Sequence, residues 1–578
     1  MPRTNALRYV ALATDYDETL AEHGVVRPET VAALERLKAS GRRLVLVTGR
    51  DLADLRNVFP GLGIFDAVVA ENGGVLYVSA TREERMLAEP ASAALVERLE
   101  ARKVEPLHLG RVIVATRDPH QHVVLDEINR LGLELQVIFN KGAVMVLPTG
   151  VHKGTGLAAA VAALRLSLRN TAAIGDAEND HALLAGAECG VAVANALPAL
   201  KERADLVTEG RAGAGVVELA GRLLADDLAS VPVPRRDVEL GRDDAGETAT
   251  LPPYGPSILF AGLSGSGKST AAMAVLEHLI AAGYQCLILD PEGDYERFPE
   301  ALVLGDPDRP PTVTEIVNAL GKPDRSVAVN LVGMSHADRP ELFLSLLPRL
   351  GELRAATGRP HWIFLEEAHH LAPVDLAGAP QALPAELGSL AAVTVLPHEL
   401  TPALLERFDT VVAVGKRGSQ TLEDYASAAR RGPVPKGTPD ELPRGEVILW
   451  RIGRDLRRFT MAPTRTKHRR HLRKYAQGAL PRERHFVFRG PKGAMNLRAQ
   501  NLTVFAQLAE GVDEPTWRHH LEAGDYGRWF RDVIGDEDLA LAAEEAVKLS
   551  PAEGRARVLG AIAARYTLPV STGEPAAS

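Results

Sequence analysis

Short runs of aliphatic and β-branched residues recur along this chain, and many stop abruptly at an acid, a threonine or a glycine. Val10–Thr14, Leu44–Thr48 and Ala67–Ala70 are such runs in the first part. Ser257–Ala261, Cys286–Asp290, Val327–Leu331, Trp362–Leu365, Ala392–Leu396, Thr410–Val414 and Val447–Trp450 repeat the pattern in the second. Each is short and uniformly apolar, as a strand buried on both faces must be. Helix-period segments separate them: in VAALERLKASG, Val31, Leu34 and Leu37 share one face and Gly41 stops the helix. Strand alternating with helix dictates a parallel sheet sandwiched between helices. The expected fold class is α/β, with two doubly wound parallel-sheet domains and a small C-terminal helical module.

The rhythm breaks at two places. Residues from about 80 to 150 hold strands of their own, such as Val112–Thr116 and Ala143–Leu147, and read as a cap inserted into a first domain at 1–225. Residues 226–256 are rich in proline, glycine and charge, lack periodicity and read as a linker. The second sheet domain is expected over 257–475 and the helical module over 476–578. Only Cys189 and Cys286 are present, which excludes a disulfide framework and points to a reducing compartment. Acidic residues interrupt the N-terminus before any signal-peptide core forms, and no apolar run reaches the ~18 residues of a membrane span. A cytoplasmic protein without a membrane partner is the expectation.

The first set of strands delivers acids to one rim. Val10–Thr14 runs into DYDETL, with Asp15 and Asp17; Leu44–Thr48 ends at Thr48 in VTGR; Lys153 lies in HKGTGL; and Thr171–Ile174 leads into GDAEND, with Asp176, Asn179 and Asp180. The carboxyl ends of parallel strands are where open α/β sheets bind ligands. Carboxylates clustered there repel one another unless a cation neutralises them, and Mg²⁺ takes hard oxygen ligands of this kind.

The four motifs in this order resemble the haloacid dehalogenase (HAD) superfamily of phosphatases, in the branch with an inserted α/β cap, from about Tyr9 to Ala225. The resemblance implies that Asp15 is the nucleophile and becomes an aspartyl-phosphate. It gives Asp17 the acid and then base role, and Thr48 and Lys153 the phosphoryl group. It assigns Mg²⁺ to Asp15, Asp176 and the backbone carbonyl of Asp17, with Asp180 either a further ligand or orienting the shell. Glu18 stands where the family has glycine, so the turn after the strand should differ.

A second site follows. Gly262–Thr270 reads GLSGSGKST after the strand SILFA and before the helical TAAMAVLEHLIAAG. Gly262, Gly265 and Gly267 free backbone N–H groups to wrap phosphates at a helix N-terminus. Lys268 would reach the β- and γ-phosphates and Ser269 would ligate Mg²⁺, with Thr270 completing the motif. ATP is therefore the expected second ligand. The strand in HWIFLEEAHH delivers Glu366 and Glu367 at its end, Asp290 closes another strand, and Thr394 closes a third. These segments, with PRGEVILW, resemble the HerA/FtsK-like branch of RecA-like P-loop ATPases from about Ser257 to Arg451. The resemblance makes Glu366 the Mg²⁺-shell acid, where aspartate is usual, and Glu367 the residue that polarises water. Asp290 supports the nucleotide and Thr394 senses its γ-phosphate. It also implies ring assembly, hence a homo-oligomer, often on DNA.

From Arg451 to Gly490 there are 13 Lys/Arg against 2 Asp/Glu, in a chain whose net charge is −9. Nucleic-acid phosphates or acidic surfaces of the protein itself are both suitable partners for such a stretch. The paired His369 and His370 read as a helix start without a metal role, and the aromatic residues after 485 as the core of a packing module. The reading is a Mg²⁺-dependent phosphomonoesterase acting through an aspartyl-phosphate on a phosphorylated small molecule, joined to an ATP-binding, ATP-hydrolysing domain. Two alternatives stand beside it: an ATP-driven nucleic-acid translocase with an accessory phosphatase, and a nucleotide-switched binding module.

Overall fold

The computed structural model describes residues 7–263, 266–376, 383, 389–435, 438–443, 445–454, 456–465, 480, 482–491, 493, 495–534 and 536–566. Gly265 and the densest part of the basic stretch, 466–479, lie outside them.

The first sheet has eight strands, with Ala11–Thr14 between Thr171–Gly175 and Arg43–Val47, all parallel. Cys189–Ala192 and Leu206–Val207 extend one side. Ala67–Ala70 extends the other, followed by the antiparallel Val75–Val78 and Glu83–Met86. Every residue of Ala11–Thr14 is buried, as a central strand covered on both faces requires. The inserted cap is a four-stranded antiparallel sheet from His108 to Pro148, packed on helices Ala93–Ala101 and Gln121–Leu131. Its own apolar cluster includes Leu95, Leu99, Val114, Val124 and Val146.

The second sheet has eleven strands. Seven are parallel, with Ile258–Ala261 flanked by Leu390–Thr394 and Thr410–Val414, then Trp362–Leu365 and Cys286–Asp290 beyond. Alternate residues feed two cores: Leu259 and Ala261 join one apolar cluster, Ile258 and Phe260 the other. The expected strand Ala392–Leu396 is found two residues earlier, which makes Thr394 its last residue.

The linker expectation needs correction. Residues 226–256 contain the hairpin Val238–Arg242 and Thr248–Leu251, which extends the second sheet by pairing with Leu456–Met461. Val238, Leu240, Ala249 and Leu251 are buried on one face, so the segment alternates at period two, over strands too short to stand out against the turn residues between them. The C-terminal region is a two-stranded ribbon, Phe486–Phe488 with Leu497–Ala499, under helices from Leu502 to Tyr566. Phe486, Phe505, Trp517, Tyr526 and Trp529 fill its core.

The two sheets meet through the amino ends of their strands. Asn170, just before Thr171–Gly175, donates to Tyr254 Oη at 3.1 Å and Gly358 O at 3.3 Å, and its Oδ1 lies 2.9 Å from His361 Nε2. His361, just before Trp362–Leu365, accepts from Gln285 N at Nδ1, so the Nε2 proton faces Asn170. Tyr284 Oη donates to the fully buried Glu188, which also pairs with Arg8 at 2.9 Å. Arg359 donates across the junction to Arg165 O. Both ligand rims, at the carboxyl ends of the strands, therefore point away from the junction in opposite directions.

Replacing Glu188 by Ala strands Arg8 and removes the acceptor of Tyr284 inside a buried interface. Breaking a buried pair in this way costs on the order of 3 kcal/mol, which urea unfolding should report as a lower midpoint. An unchanged midpoint would mean the junction is held by packing alone.

Candidate functional site

In the first sheet, register alone brings the acids together. Thr14 is paired with Ile174 and with Leu46, so the residues that follow each strand emerge at one level. Asp15, Asp176 and Asp180 offer carboxylate oxygens that all lie within 4.8 Å of one another, and all three are buried. They form the one group of three or more metal-ligating side chains so close among the described residues. Lys153, at the first turn of helix Lys153–Ala163, stands between them: its ammonium is 2.6 Å from Asp15 Oδ1 and 2.6 Å from Asp180 Oδ1. Asp180 Oδ2 accepts the Asp176 and Ala177 N–H groups, both at 2.9 Å. A Cβ on Gly175 would come within 2.6 Å of the Asp180 carboxyl carbon, so only glycine lets that carboxylate lie against the strand end. Asp176 accepts from Thr19 Oγ1 at one oxygen and pairs with Lys141 of the cap at the other, 2.6 Å away.

Burial pushes the Asp15 carboxyl up to about 8, the Asp180 charge adds to this, and Lys153 opposes it. Burial likewise raises Asp176, against the pull of Lys141. Burial works against the Lys153 ammonium, but Asp15 and Asp180 outweigh it and hold the amine above its ordinary range. Three buried carboxylates with hard oxygens, which Lys153 and Lys141 together do not fully neutralise, are a donor set that fits Mg²⁺.

The other expected residues fall nearby in a different arrangement. Thr48 is buried directly after its strand, and its Oγ1 accepts the Arg50 N–H. Asp17 does not turn its side chain into the cluster. Both of its oxygens accept from Arg50, at 2.7–3.1 Å, and Arg50 also pairs with Asp54. Glu18 has φ 60, the left-handed region that favours glycine. Sequence reasoning passed over Arg50, although it is in the quoted VTGR. It also passed over Asn72, whose Oδ1 accepts from Asn179 while its own Nδ2 stays buried without a partner. Lys141 left no signal: a lysine in a tight turn reads as solvated.

In the second sheet, Gly262 has φ 150 and a Cβ there would lie 2.3 Å from Val414 O, so the loop is glycine-dependent at its start. Gly267 caps helix Lys268–Ala281, on whose first turn Lys268, Ser269 and Thr270 sit. Lys268 Nζ donates to Leu263 O at 3.0 Å, folding back along the loop. Thr394 is the register partner of Ala261, immediately beside the loop. Asp290 is fully buried and accepts N–H groups of Gly293 and Tyr295; burial and the nearby Asp294 and Glu366 push its carboxyl up to about 8. Glu366 accepts from Tyr295 Oη at 2.7 Å, and Glu367, in a left-handed conformation, lies 3.6 Å from His369. His369 and His370 pack ring on ring, 4.2 Å apart.

Residues 12–109 and 109–219 match the family model for haloacid dehalogenase-like hydrolases, and residues 257–349 match that for the central domain of the helicase HerA. The chain is 34% identical over 226 residues to phosphoglycolate phosphatase 2 of Saccharolobus solfataricus, an alignment covering 38% of this chain and 94% of that protein. It is 34% identical over 223 residues to the phosphoglycolate phosphatase of Methanothermobacter thermautotrophicus, covering 37% and 98%. It is 30% identical over 217 residues to that of Methanosarcina acetivorans, covering 37% and 95%.

In the metal-free protein the folded state holds the Asp15 proton more tightly than the unfolded chain does. This group's contribution to stability is therefore fully present near pH 4 and is lost as pH rises towards about 8. A divalent cation must displace that proton and relieve the repulsion, so Mg²⁺ should raise Tm, and by more at about pH 8 than at about pH 6. Calorimetry with and without Mg²⁺ reads this directly; an absent shift would mean that the cluster does not bind the ion, and an equal shift at both pH values that binding does not displace the Asp15 proton.

Proposed function

We propose, from a chain that belongs to the haloacid dehalogenase-like hydrolases and carries a HerA-type domain behind its phosphatase domain, that it hydrolyses a small phosphomonoester and binds and turns over ATP at a separate site. The single observation that carries the phosphatase reading is the convergence of Asp15, Asp176 and Asp180 around Lys153 at one strand rim. Phosphoglycolate leads among substrates because the relatives cited carry that name and align over nearly their whole length. The division into a phosphatase at 1–225, a HerA-like unit at 257–475 and a module from 476 onwards is proposed with it.

In this reading Asp15 Oδ attacks phosphorus, the bond from phosphorus to the ester oxygen breaks, and the leaving alkoxide takes a proton from Asp17. Asp17 then removes a proton from the water that attacks the aspartyl-phosphate, releasing phosphate and Asp15. Lys153 and Thr48 hold the transferring group, and Asp15, Asp176, Asp180 and the Asp17 carbonyl would hold Mg²⁺, which cancels phosphoryl charge when bound. Since Arg50 occupies both Asp17 oxygens, Asp17 must shift its pairing to reach a leaving group. At the second site Gly262, Gly265, Gly267, Lys268, Ser269 and Thr270 cradle ATP, Glu366 with Ser269 serves its Mg²⁺, Glu367 polarises water, and Asp290 and Thr394 support the nucleotide.

The opposed rims bear on how the two activities relate. The junction of strand starts is the contact within one chain through which the two sites can be coupled. Assembly of several copies, and contact with nucleic acid through the basic stretch, are proposals that rest on the HerA likeness and on charge alone. No helix among the described residues is long and apolar enough to cross a membrane, and two free buried cysteines suit a cytoplasmic setting.

Asp15→Asn should remove at least about a thousandfold of phosphomonoesterase activity and leave ATP affinity intact. Lys268→Ala should do the reverse, abolishing ATP binding while phosphoglycolate hydrolysis persists. Phosphate release across a panel of metabolite phosphates, with nucleotide binding in parallel, separates the two; substantial turnover by the Asp15 variant would refute the nucleophile.

A further inference from the structure

Beside the carboxylate cluster lies a cavity of about 270 Å³, lined by Glu18, Lys141, Asp176, Asn195, Leu197 and Arg211. That lies near the lower end of the usual range for ligand pockets. Two cations line it, one from the cap and one from the core. Lys141 stands on the turn between cap strands Leu135–Asn140 and Ala143–Pro148, with φ 47, and reaches across the gap to Asp176. Arg211 comes from the core and is exposed; its carbonyl accepts the Ala214 N–H, and its guanidinium makes no hydrogen bond or ion pair among the described residues.

The Arg211 loop is held in place from the nucleophile side. Ala212 has the unusual backbone angles φ 42 and ψ −129. Its N–H donates to Asn195 Oδ1 at 2.7 Å, and Asn195 Nδ2 donates to Glu18 O at 2.8 Å. One asparagine thus ties the loop bearing Arg211 to the turn after Asp15, and a strained alanine persists because both ends are fixed.

We infer that Lys141 and Arg211 form a subsite that reads a carboxylate on the carbon bearing the phosphate ester, and so select short phosphorylated acids over phosphorylated alcohols and sugars. The inference rests on the phosphatase reading and adds the residues that choose the substrate. Asp176 is a metal ligand in that reading, and an ammonium and a dication compete for the same oxygen. The Lys141 charge then turns to the cavity. With Asp176 given to the metal, the lining sets Glu18 alone against Lys141 and Arg211, so one positive charge is left over, and one carboxylate balances it. A substrate with a neutral end leaves these two donors to water, whereas a carboxylate gains charge-assisted hydrogen bonds from both, which sets the preference.

The test uses the full chain with Mg²⁺ and two hydrolysis-inert phosphonates, phosphonopropionate and propylphosphonate, which differ in the carboxylate. Calorimetry should show wild type preferring the carboxylated ligand by about tenfold or more. Lys141→Gln and Arg211→Gln should each shrink that preference, the double variant should abolish it, and Lys141→Arg should retain it. Circular dichroism confirms that the variants are folded. Equal binding of the two phosphonates by wild type, or an equal loss for both in the variants, would overturn the subsite while leaving the phosphatase standing. Failure of wild type to bind either phosphonate or to hydrolyse any phosphomonoester would overturn the phosphatase reading, and the subsite with it.

Discussion

A buried ammonium between two buried carboxylates organises the first half of this protein. Lys153 is almost fully enclosed, and it pairs with Asp15 and Asp180 at equal distances. Burying such charges is costly unless they compensate one another. Here compensation is incomplete, since Asp176 adds a third carboxylate that leans on Lys141 of the cap. The site is thus built with an excess of negative charge that one divalent cation cancels. The same excess fixes where phosphate can go: a dianion reaches this rim only with a cation present. In the proposed mechanism the nucleophile, the metal ligands and the amine that binds the phosphoryl group are one electrostatic unit.

The geometry follows from strand register. Three parallel strands, Arg43–Val47, Ala11–Thr14 and Thr171–Gly175, end at one level and hand over Thr48, Asp15 and Asp176. The ATPase half repeats the device with Ile258–Ala261, Leu390–Thr394, Trp362–Leu365 and Cys286–Asp290. Because the halves join through the strand starts, the carboxyl-end rims of both sheets lie away from the junction. Asn170, His361, Tyr284 and Glu188 form the polar seam between them. Strands whose starts are locked together there connect one rim to the other.

Much of this was legible in sequence because buried parallel strands advertise themselves. Ala67–Ala70, Cys286–Asp290, Trp362–Leu365 and Thr410–Val414 were found at their true limits, since apolar runs ending in turn residues leave little choice. The acids at their ends followed. What escaped was set by tertiary contact. The hairpin in 226–256 was hidden because edge strands need only alternate buried residues. The Arg50 clamp on Asp17 joins residues 33 positions apart. Lys141, Asn195 and Arg211 converge from the cap and two core loops, and no local pattern marks any of them as sharing a cavity.

The most direct test of the central claim is to trap the covalent intermediate. During phosphoglycolate turnover with Mg²⁺, acid quenching and borohydride reduction convert an aspartyl-phosphate to homoserine, which peptide mass spectrometry locates. The account predicts homoserine at position 15 and at no other aspartate. Steady turnover with Asp15 unmodified, or reduction at a different aspartate, would contradict it.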